Sequence, residues 1–170
     1  DMVCGKMVAY IQCVDVDYQA RRVEEFYDVQ LDVSHCGSLE ESFERYTQTE
    51  RLEGADKYDA GPEFGKQVAD KGVKFVSLPP VLHLHLKRFK YDWNADRIVK
   101  INKRFEFPER IDLSPYMYRG EAGDLGKEGE AGAGEGSPST EPVTYVLHSV
   151  LVHQGDVHRG HYYVHVNVGS

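Results

Sequence analysis

Three histidines lie close together near the end of the chain, His153, His158 and His161, with Gly155 and Gly160 between them. Neutral imidazole is the best general base available near pH 7, so one of them could activate a cysteine or serine nucleophile. A glycine beside a histidine lets the backbone turn tightly and leaves room for a substrate chain. A metal site and an ordinary polar hairpin fit the same residues, so the segment alone leaves three interpretations open.

The residues on either side of this segment must position it. Residues 145–153 and 162–168 are rich in strand formers and predict a hairpin whose connection carries the histidines. Within residues 81–89, leucines at 82, 84 and 86 alternate with histidines at 83 and 85, which predicts a long core strand with the histidines on a solvated face. Residues 6–13 and 26–33 alternate in a similar way and predict two further strands.

One helix is predicted over residues 38–52. Ser38 is followed three residues later by Glu41, which makes a capping box at the start of the helix. The apolar stripe of this helix consists of Leu39, Phe43 and Tyr46. Residues 14–22 and 91–97 are polar and predict loops. The predicted fold class is therefore α+β, mostly antiparallel β.

The composition limits the class of protein. A length of 170 residues, with 41% hydrophobic and 28% charged residues, predicts one ordinary globular domain. The net charge of −8 argues against a nucleic-acid partner, and no apolar run approaches the roughly 18 residues of a membrane helix, so no membrane partner is expected. Cys4, Cys13 and Cys36 form no regular framework, which favours a reducing compartment, the cytoplasm or the nucleus.

Residues 119–142 differ from the rest of the chain in composition. Residues 120–136 contain seven glycines in 17 positions, and six acids and two bases lie between Arg119 and Glu141. Such a run has too little apolar surface to offset its ordering entropy. We expect a disordered acidic, Gly-rich insertion between two strands.

Several segments resemble one enzyme family. His153-x-Gly155 followed by Gly160-His161-Tyr162 resembles the histidine box of the ubiquitin-specific proteases, which are ubiquitin carboxyl-terminal hydrolases. Three segments look like the palm of that family, at residues 78–89, 100–102 and 105–108. Three others are similar to the herpesvirus-associated ubiquitin-specific protease subfamily in particular, at residues 5–13, 16–18 and 57–61.

This resemblance implies a papain-like cysteine protease, of which the chain is the fingers and palm portion. The fingers would occupy about residues 6–75, and the palm residues 76–118 and 143–170. The parent enzyme would hydrolyse the (iso)peptide bond after the C-terminal glycine of ubiquitin. The implied partners are therefore ubiquitin and ubiquitinated proteins.

The resemblance also implies roles for single residues. His161 holds the Gly-His-Tyr position and would be the general base that takes the proton of the nucleophile. Residues 91–99 and 154–160 would be two loops flanking the ubiquitin tail. The implied substrate-binding residues are Tyr91, Asp92, His153, Asp156, His158, Gly160 and Tyr162.

The chain departs from the family pattern at the nucleophile. It has no cysteine box, and Cys36, just before the predicted helix, lies where the family has nothing catalytic, so we expect a structural thiol. No aspartate or asparagine motif follows His161, and Asn167 is expected within the last strand. The nucleophile and the third triad member are thus expected outside this chain, and the isolated chain is expected to be inactive. The alternatives are a non-catalytic ubiquitin-binding module or pseudoenzyme, and an unrelated metal-dependent enzyme.

Zinc is a further point of comparison. Many family members carry two Cys-x-x-Cys pairs at the tip of the fingers, a structural zinc site. Cys13 matches the first ligand, but Val16, Ala60 and Glu63 stand where the other three would be. One thiolate cannot hold a structural zinc, so the resemblance implies fingers without a metal and an enzyme without a cofactor.

Overall fold

The computed structural model describes residues 2–120 and 142–169, so most of the predicted insertion at 119–142 lies outside the described residues. The described chain divides into two units. Unit 1 holds residues 2–29, 44–83 and 116–120, and unit 2 holds residues 30–43, 84–115 and 142–169. No helix within these ranges has the length and apolar character needed to cross a membrane.

The elements are mostly short strands. In chain order they are β1 (Gly5–Cys13), β2 (Gln19–Phe26), β3 (Val29–Asp32), α1 (Leu39–Tyr46), β4 (Glu50–Leu52), β5 (Tyr58–Asp59), β6 (Lys66–Gln67), β7 (Ala69–Ser77), β8 (Leu84–Lys87), β9 (Phe89–Asp92), β10 (Arg97–Lys100), β11 (Arg110–Asp112), β12 (Thr144–Val146), β13 (Ser149–Gly155) and β14 (Gly160–Val166). The ladders β1–β2, β1–β7, β4–β7, β5–β6, β9–β10, β11–β12 and β13–β14 are antiparallel. With α1 as the α-helix of the described residues, the fold is α+β and mostly antiparallel β, as predicted.

Unit 1 is built on a four-stranded sheet with the order β2-β1-β7-β4. Val8 in the centre of β1 pairs with Val23 on one side and Lys74 on the other, and its side chain is fully buried. At the edge, Arg51 of β4 faces Asp70 of β7 and donates two hydrogen bonds to its carboxylate, at 2.7 and 3.0 Å. The pairing of β4 explains why α1 ends at Tyr46 and not near residue 52, since residues 50–52 are used as a strand.

Tyr10 of β1 lies across its neighbour β7. It is paired with Gly72, and its ring fills the space that a Cβ at position 72 would occupy. The ring thereby reaches past β7, and its hydroxyl shares a hydrogen bond of 2.8 Å with Thr49 Oγ1, next to β4. Gly72 is therefore required by a side chain that passes over its strand.

Phe75 is the aromatic centre of unit 1. Its side chain is fully buried. The ring of Phe26 meets it edge-on with a centroid distance of 5.6 Å, and the ring of Tyr46 stacks on it at 5.8 Å. Burial of such rings supplies much of the hydrophobic free energy of a small unit.

A second apolar group, here called the tip cluster, lies at the far end of β1. Its members are the buried residues Cys13, Ala60 and Ala69 and the partly buried residues Ile11, Val16, Tyr18, Tyr58 and Phe64. Three of the four positions compared above with zinc ligands, Cys13, Val16 and Ala60, thus meet in one place. Apolar side chains occupy that place here.

In unit 2 the N-terminus of α1 is capped by Ser38 as predicted, but the Glu41 carboxylate binds the backbone N of Gly37 and not that of Ser38. The backbone N of Glu41 donates to Ser38 Oγ at 3.2 Å, and the Glu41 carboxylate accepts from the backbone N of Gly37 at 2.6 Å. Ser42 in the first turn is buried, and its hydroxyl donates to the carbonyl of Asp32 at 2.9 Å, which ties the helix to the end of β3. Helix and strand are fixed by these polar contacts within unit 2.

The long strand predicted over residues 81–89 is two strands. β8 pairs with β3, and β9 pairs with β10, with Arg88 between them donating its backbone N to the carbonyl of Leu86 at 2.8 Å. The predicted alternation is present, since the leucines of β8 are partly buried and its histidine is exposed. The Arg88 guanidinium donates to the carbonyls of Ile101 and Lys103, which holds the bend.

Other boundaries also differ from prediction, and the strand predicted over residues 145–153 is divided between β12, which pairs with β11, and β13, which pairs with β14. The predicted loop at 14–22 gives way to β2 from Gln19, because this polar strand is paired along its whole length with β1. The strand predicted over 26–33 is interrupted after Phe26, which ends β2. The chain resumes as β3, and β3 pairs with β8. Exposed strands that are paired on one side tolerate polar residues, which explains the difference at β2.

Candidate functional site

The histidine-bearing segment of unit 2 is the β13–β14 hairpin. His161 is the second residue of β14, and its backbone is paired with Gln154. The backbone N of Asp156 donates to the carbonyl of Arg159 at 2.9 Å and closes the hairpin. Both faces of β14 are exposed, so the side chain of His161 is accessible.

Asp156 organises the turn between the two strands. Its carboxylate accepts hydrogen bonds from the backbone N of Arg159 at 2.9 Å and of His158 at 2.7 Å. These two donors hold the pKa of the Asp156 carboxyl below its ordinary range. The turn that carries His158 is therefore closed by a carboxylate and not by the imidazole of His158.

Both glycines of the hairpin are required by close approaches. Gly155 has φ of +122°, and a Cβ there would meet the carbonyl oxygen of Arg159. A Cβ on Gly160 would meet the imidazole of His153. The glycines flanking the turn thus allow the two strands to come together directly before His161.

His153 is the packing centre of the hairpin. Its ring lies 5.5 Å from the ring of Phe89 and 4.7 Å from the ring of Tyr162, centroid to centroid. Its Nδ1 atom is buried and makes no hydrogen bond to any described residue. A ring held between two aromatic rings and against a glycine is suited to positioning the hairpin.

Lys100, for which the sequence predicted no role, also contacts this hairpin. Its ammonium group donates to the carbonyl oxygen of His153 at 2.8 Å and to that of Gly155 at 2.8 Å. The position was visible in the sequence only as part of a motif at 100–102, because a lysine ending a polar strand normally faces solvent. No local sequence pattern predicts that its side chain binds the backbone carbonyl of a residue 53 positions away.

The β9–β10 hairpin carries the other predicted loop. The loop is shorter than expected, since β9 runs to Asp92 and β10 begins at Arg97. The Asp92 carboxylate accepts from the backbone N of Asn94 at 2.9 Å and of Ala95 at 3.2 Å. Trp93 at the loop tip is 86% exposed.

Tyr91 and Asp96 close the same loop from the side. The Tyr91 hydroxyl donates to the carboxylate of Asp96, and this hydrogen bond raises the pKa of the phenol. Asp96 has φ of +49°, a left-handed conformation suited to a tight turn. Tyr91 is also in edge-on contact with Trp93, at a centroid distance of 4.7 Å.

All eight predicted site residues belong to unit 2. The β13–β14 hairpin brings together six of them, namely His153, Asp156, His158, Gly160, His161 and Tyr162. Tyr91 and Asp92 belong to the β9–β10 hairpin. Asn167, expected within the last strand, lies just after β14, where its backbone N donates to the carbonyl of His148 at 2.7 Å.

Residues 2–120 and 142–169 contain neither a cluster of metal ligands nor an exposed cysteine at the hairpin. In these ranges no three His, Cys, Asp or Glu side chains are grouped as metal ligands would be. Cys4, Cys13 and Cys36 are free thiols, and the last two are buried. Cys36 is 3% exposed, as expected of a structural thiol.

The chain is similar to known proteins of one enzyme family. The sequence profile of the family described as "Ubiquitin carboxyl-terminal hydrolase" matches residues 1–169. The chain is 46% identical to "Ubiquitin carboxyl-terminal hydrolase 15" of Saccharomyces cerevisiae over 99% of its own length, and 47% identical to "Ubiquitin carboxyl-terminal hydrolase 7" of Drosophila melanogaster over 96%. It is 45% identical to "Ubiquitin C-terminal hydrolase 12" of Arabidopsis thaliana over 95% of its length. In each case it spans 13% of the relative.

The fold has a counterpart among solved structures. It is similar to a chain in the "Structure of the SAGA Ubp8/Sgf11/Sus1/Sgf73 DUB module bound to ubiquitin aldehyde", with a TM-score of 0.78 and 24% sequence identity. The match covers 98% of this chain and 34% of that chain, and it confirms the predicted fold class. With the profile matching residues 1–169, the chain belongs to the ubiquitin carboxyl-terminal hydrolase family.

Proposed function

We propose that this chain is part of a deubiquitinating cysteine protease that hydrolyses the (iso)peptide bond after the C-terminal glycine of ubiquitin. Family membership supports the reaction class. Because the chain spans only 13% of its curated relatives, the activity is a property of the complete natural protein. Ubiquitin and ubiquitinated proteins are the proposed partners, with no role for nucleic acid or membrane, in the cytoplasm and nucleus.

His161 is the proposed general base. The observation that carries this assignment is its exposed side chain at the start of β14, directly after a glycine that His153 holds in close contact. In this role the imidazole takes the thiol proton, the thiolate attacks the carbonyl carbon, and the imidazolium protonates the leaving amine. Water then hydrolyses the thioester with the same imidazole as base. The nucleophilic cysteine and the residue that orients the imidazole are assigned to other parts of the natural protein.

The tail of ubiquitin is proposed to run between the two hairpin loops. Both loops are closed by carboxylates that accept backbone N–H groups, Asp92 in one and Asp156 in the other. Exposed polar and aromatic groups on these loops and on the strands beside them would contact the tail, including His158 in the loop, Tyr91 in β9 and Tyr162 in β14. A loop closed before the substrate arrives loses little conformational entropy on binding.

The finer assignments follow the sequence resemblance. Residues 6–75 are proposed as the fingers that grip the ubiquitin globule, and residues 76–118 and 143–170 as palm. The motifs at 5–13, 16–18 and 57–61 support membership of the herpesvirus-associated subfamily. The apolar tip cluster supports fingers that need no metal.

The test compares two histidines of one strand in the complete natural protein. His165 also lies on β14, four residues after His161 and therefore on the same face of the strand, and it is exposed. His161→Ala should lower turnover of a fluorogenic ubiquitin C-terminal amide by about 10²–10⁴-fold or more, with ubiquitin affinity retained. His165→Ala should leave turnover near wild type.

Two results would contradict the proposal. Equal turnover by the wild type and by His161→Ala would show that His161 is not the general base. Ubiquitin binding by the wild-type protein without any cleavage would instead favour the non-catalytic module or pseudoenzyme.

A further inference from the structure

Lys100 and Phe89 form a pair of contacts on one residue of the histidine hairpin. They face each other directly across the β9–β10 ladder, so their side chains share a face. The Lys100 ammonium binds the His153 carbonyl at 2.8 Å, and the Phe89 ring meets the His153 ring at 5.5 Å. One cross-strand pair of the first hairpin therefore holds both the backbone and the side chain of His153.

The second bond of Lys100 fixes the register of this contact. Carbonyl groups two residues apart on a strand point to the same edge of that strand. The Lys100 ammonium donates hydrogen bonds to the carbonyl oxygens of His153 and Gly155, both at 2.8 Å. The residue between them is Gln154, whose cross-strand partner is His161. The two bonds thus bracket the backbone directly opposite His161.

The bonds also determine where the turn lies. Gly155 is the last residue of β13, and its φ of +122° sends the chain into the Asp156 turn. An ammonium donor to a carbonyl makes a charge-assisted hydrogen bond, stronger than one between neutral groups. Lys100 holds the hairpin at the point where the chain turns. A hydrogen bond is directional, so it restricts the position of the backbone there more than a hydrophobic contact would.

We propose that Lys100 is a positioning residue for the catalytic histidine, acting through the carbonyls of His153 and Gly155 on the backbone opposite His161. This inference rests on the proposed function for its kinetic consequence. Lys100 touches neither the substrate nor the reacting atoms in this role. Its loss leaves the base chemically intact but displaced, and a displacement of about 1 Å can cost about 10²-fold in rate.

The test uses three variants of the complete natural protein. Lys100→Met removes the ammonium and keeps a long apolar side chain, and Lys100→Arg keeps the charge and several donors. The matched control is Lys90→Met, because Lys90 is an exposed lysine on the same hairpin but belongs to the cross-strand pair with Val99, on the opposite face. Steady-state kinetics with a ubiquitin C-terminal amide separate kcat from KM. Amide hydrogen exchange of residues 153–161 reports on the hairpin.

Lys100→Met should lower kcat by about 10²-fold with KM changed by less than about twofold, since ubiquitin binding is spread over other surfaces. Lys100→Arg should recover part of the lost kcat, and exchange at residues 153–161 should be faster in Lys100→Met than in Lys90→Met. A kcat equal to that of Lys90→Met would overturn the proposal. If wild type itself does not cleave, the proposed function fails, and exchange alone decides: unchanged exchange in Lys100→Met overturns the positioning role.

Discussion

The imidazole of His153 lies against the Cα of Gly160, in the space that the Cβ of any other residue at position 160 would fill. The imidazole cannot turn away freely, because Phe89 and Tyr162 contact it on other sides. A larger residue at 160 must therefore push a side chain that is already packed. The resulting loss of hairpin stability should be localised at position 160, directly before His161 in the chain.

Gly160→Ala should destabilise the hairpin by about 1–3 kcal/mol, because it overpacks this contact. The free energy of hairpin opening can be measured by hydrogen exchange at the amides of β14. His153→Ala removes the obstructing ring, so adding Gly160→Ala in that background should cost much less than it does in wild type. Additive costs of the two substitutions would show that the ring and the glycine are independent.

Asp156 predicts a dependence of the turn on pH. Because the folded-state pKa of its carboxyl is lowered by the backbone N–H groups of Arg159 and His158, its stabilisation is fully present above the unfolded-state value of about 4. It is lost as pH falls through the lower folded-state pKa. Amide exchange or NMR shifts of His158 and Arg159 should show the loss on acidification, and Asp156→Asn should lack this transition. The same transition in the variant would exclude Asp156 as its source.

His158 should matter little to the chemistry. Its backbone N, and not its imidazole, anchors the turn to Asp156. In the complete protein His158→Ala should change kcat by less than about tenfold, well below the 10²–10⁴-fold expected for loss of a general base. His153→Ala should instead reduce hairpin stability, since it removes the ring packed on Phe89 and Tyr162. If His158→Ala were the inactive variant, the catalytic assignment would be in the wrong register.

The tip cluster predicts a dependence on packing and not on metal. Phe64 contacts the ring of Tyr18 at a centroid distance of 5.9 Å and is partly buried, so Phe64→Ala should cost about 1–3 kcal/mol, less than truncation of a fully buried ring. Val14→Ala is the control, because Val14 is 48% exposed at the same end of the sheet. Thermal unfolding with and without a strong chelator should give the same midpoint. A lower midpoint with chelator would reveal a structural metal.

Local sequence patterns predicted the strands with a buried face and the start of the helix. The capping contact of Ser38 and the alternation in β8 depend on residues near each other in the chain, so the sequence shows them directly. Boundaries set by pairing with other strands were missed, as at β2, which pairs with β1, and at β4, which pairs with β7. The helix ends at Tyr46 because residues 50–52 pair with β7, a contact that no local pattern records.

In the candidate site, too, the sequence predicted features that depend on neighbouring residues and missed those that depend on contacts between separate segments. The glycines and histidines of the β13–β14 hairpin were found because they form one short motif. Lys100 was missed because its two acceptors are backbone carbonyls, which carry no signature of residue type. The closed loop of β9–β10 was also shorter than predicted, since cross-strand pairs extend to Asp92 and Arg97.

Gly72 has a consequence for how this sequence can change in evolution. The ring of Tyr10 occupies the place of its side chain, and the Tyr10 hydroxyl reaches Thr49, so one tyrosine of β1 crosses β7 and contacts the residue just before β4. Any side chain added at position 72 would clash with that ring. If the ring at position 10 is lost, the steric reason for a glycine at position 72 is lost with it. The two positions should therefore be inherited as a pair, and lineages that replace one should be found to have replaced the other.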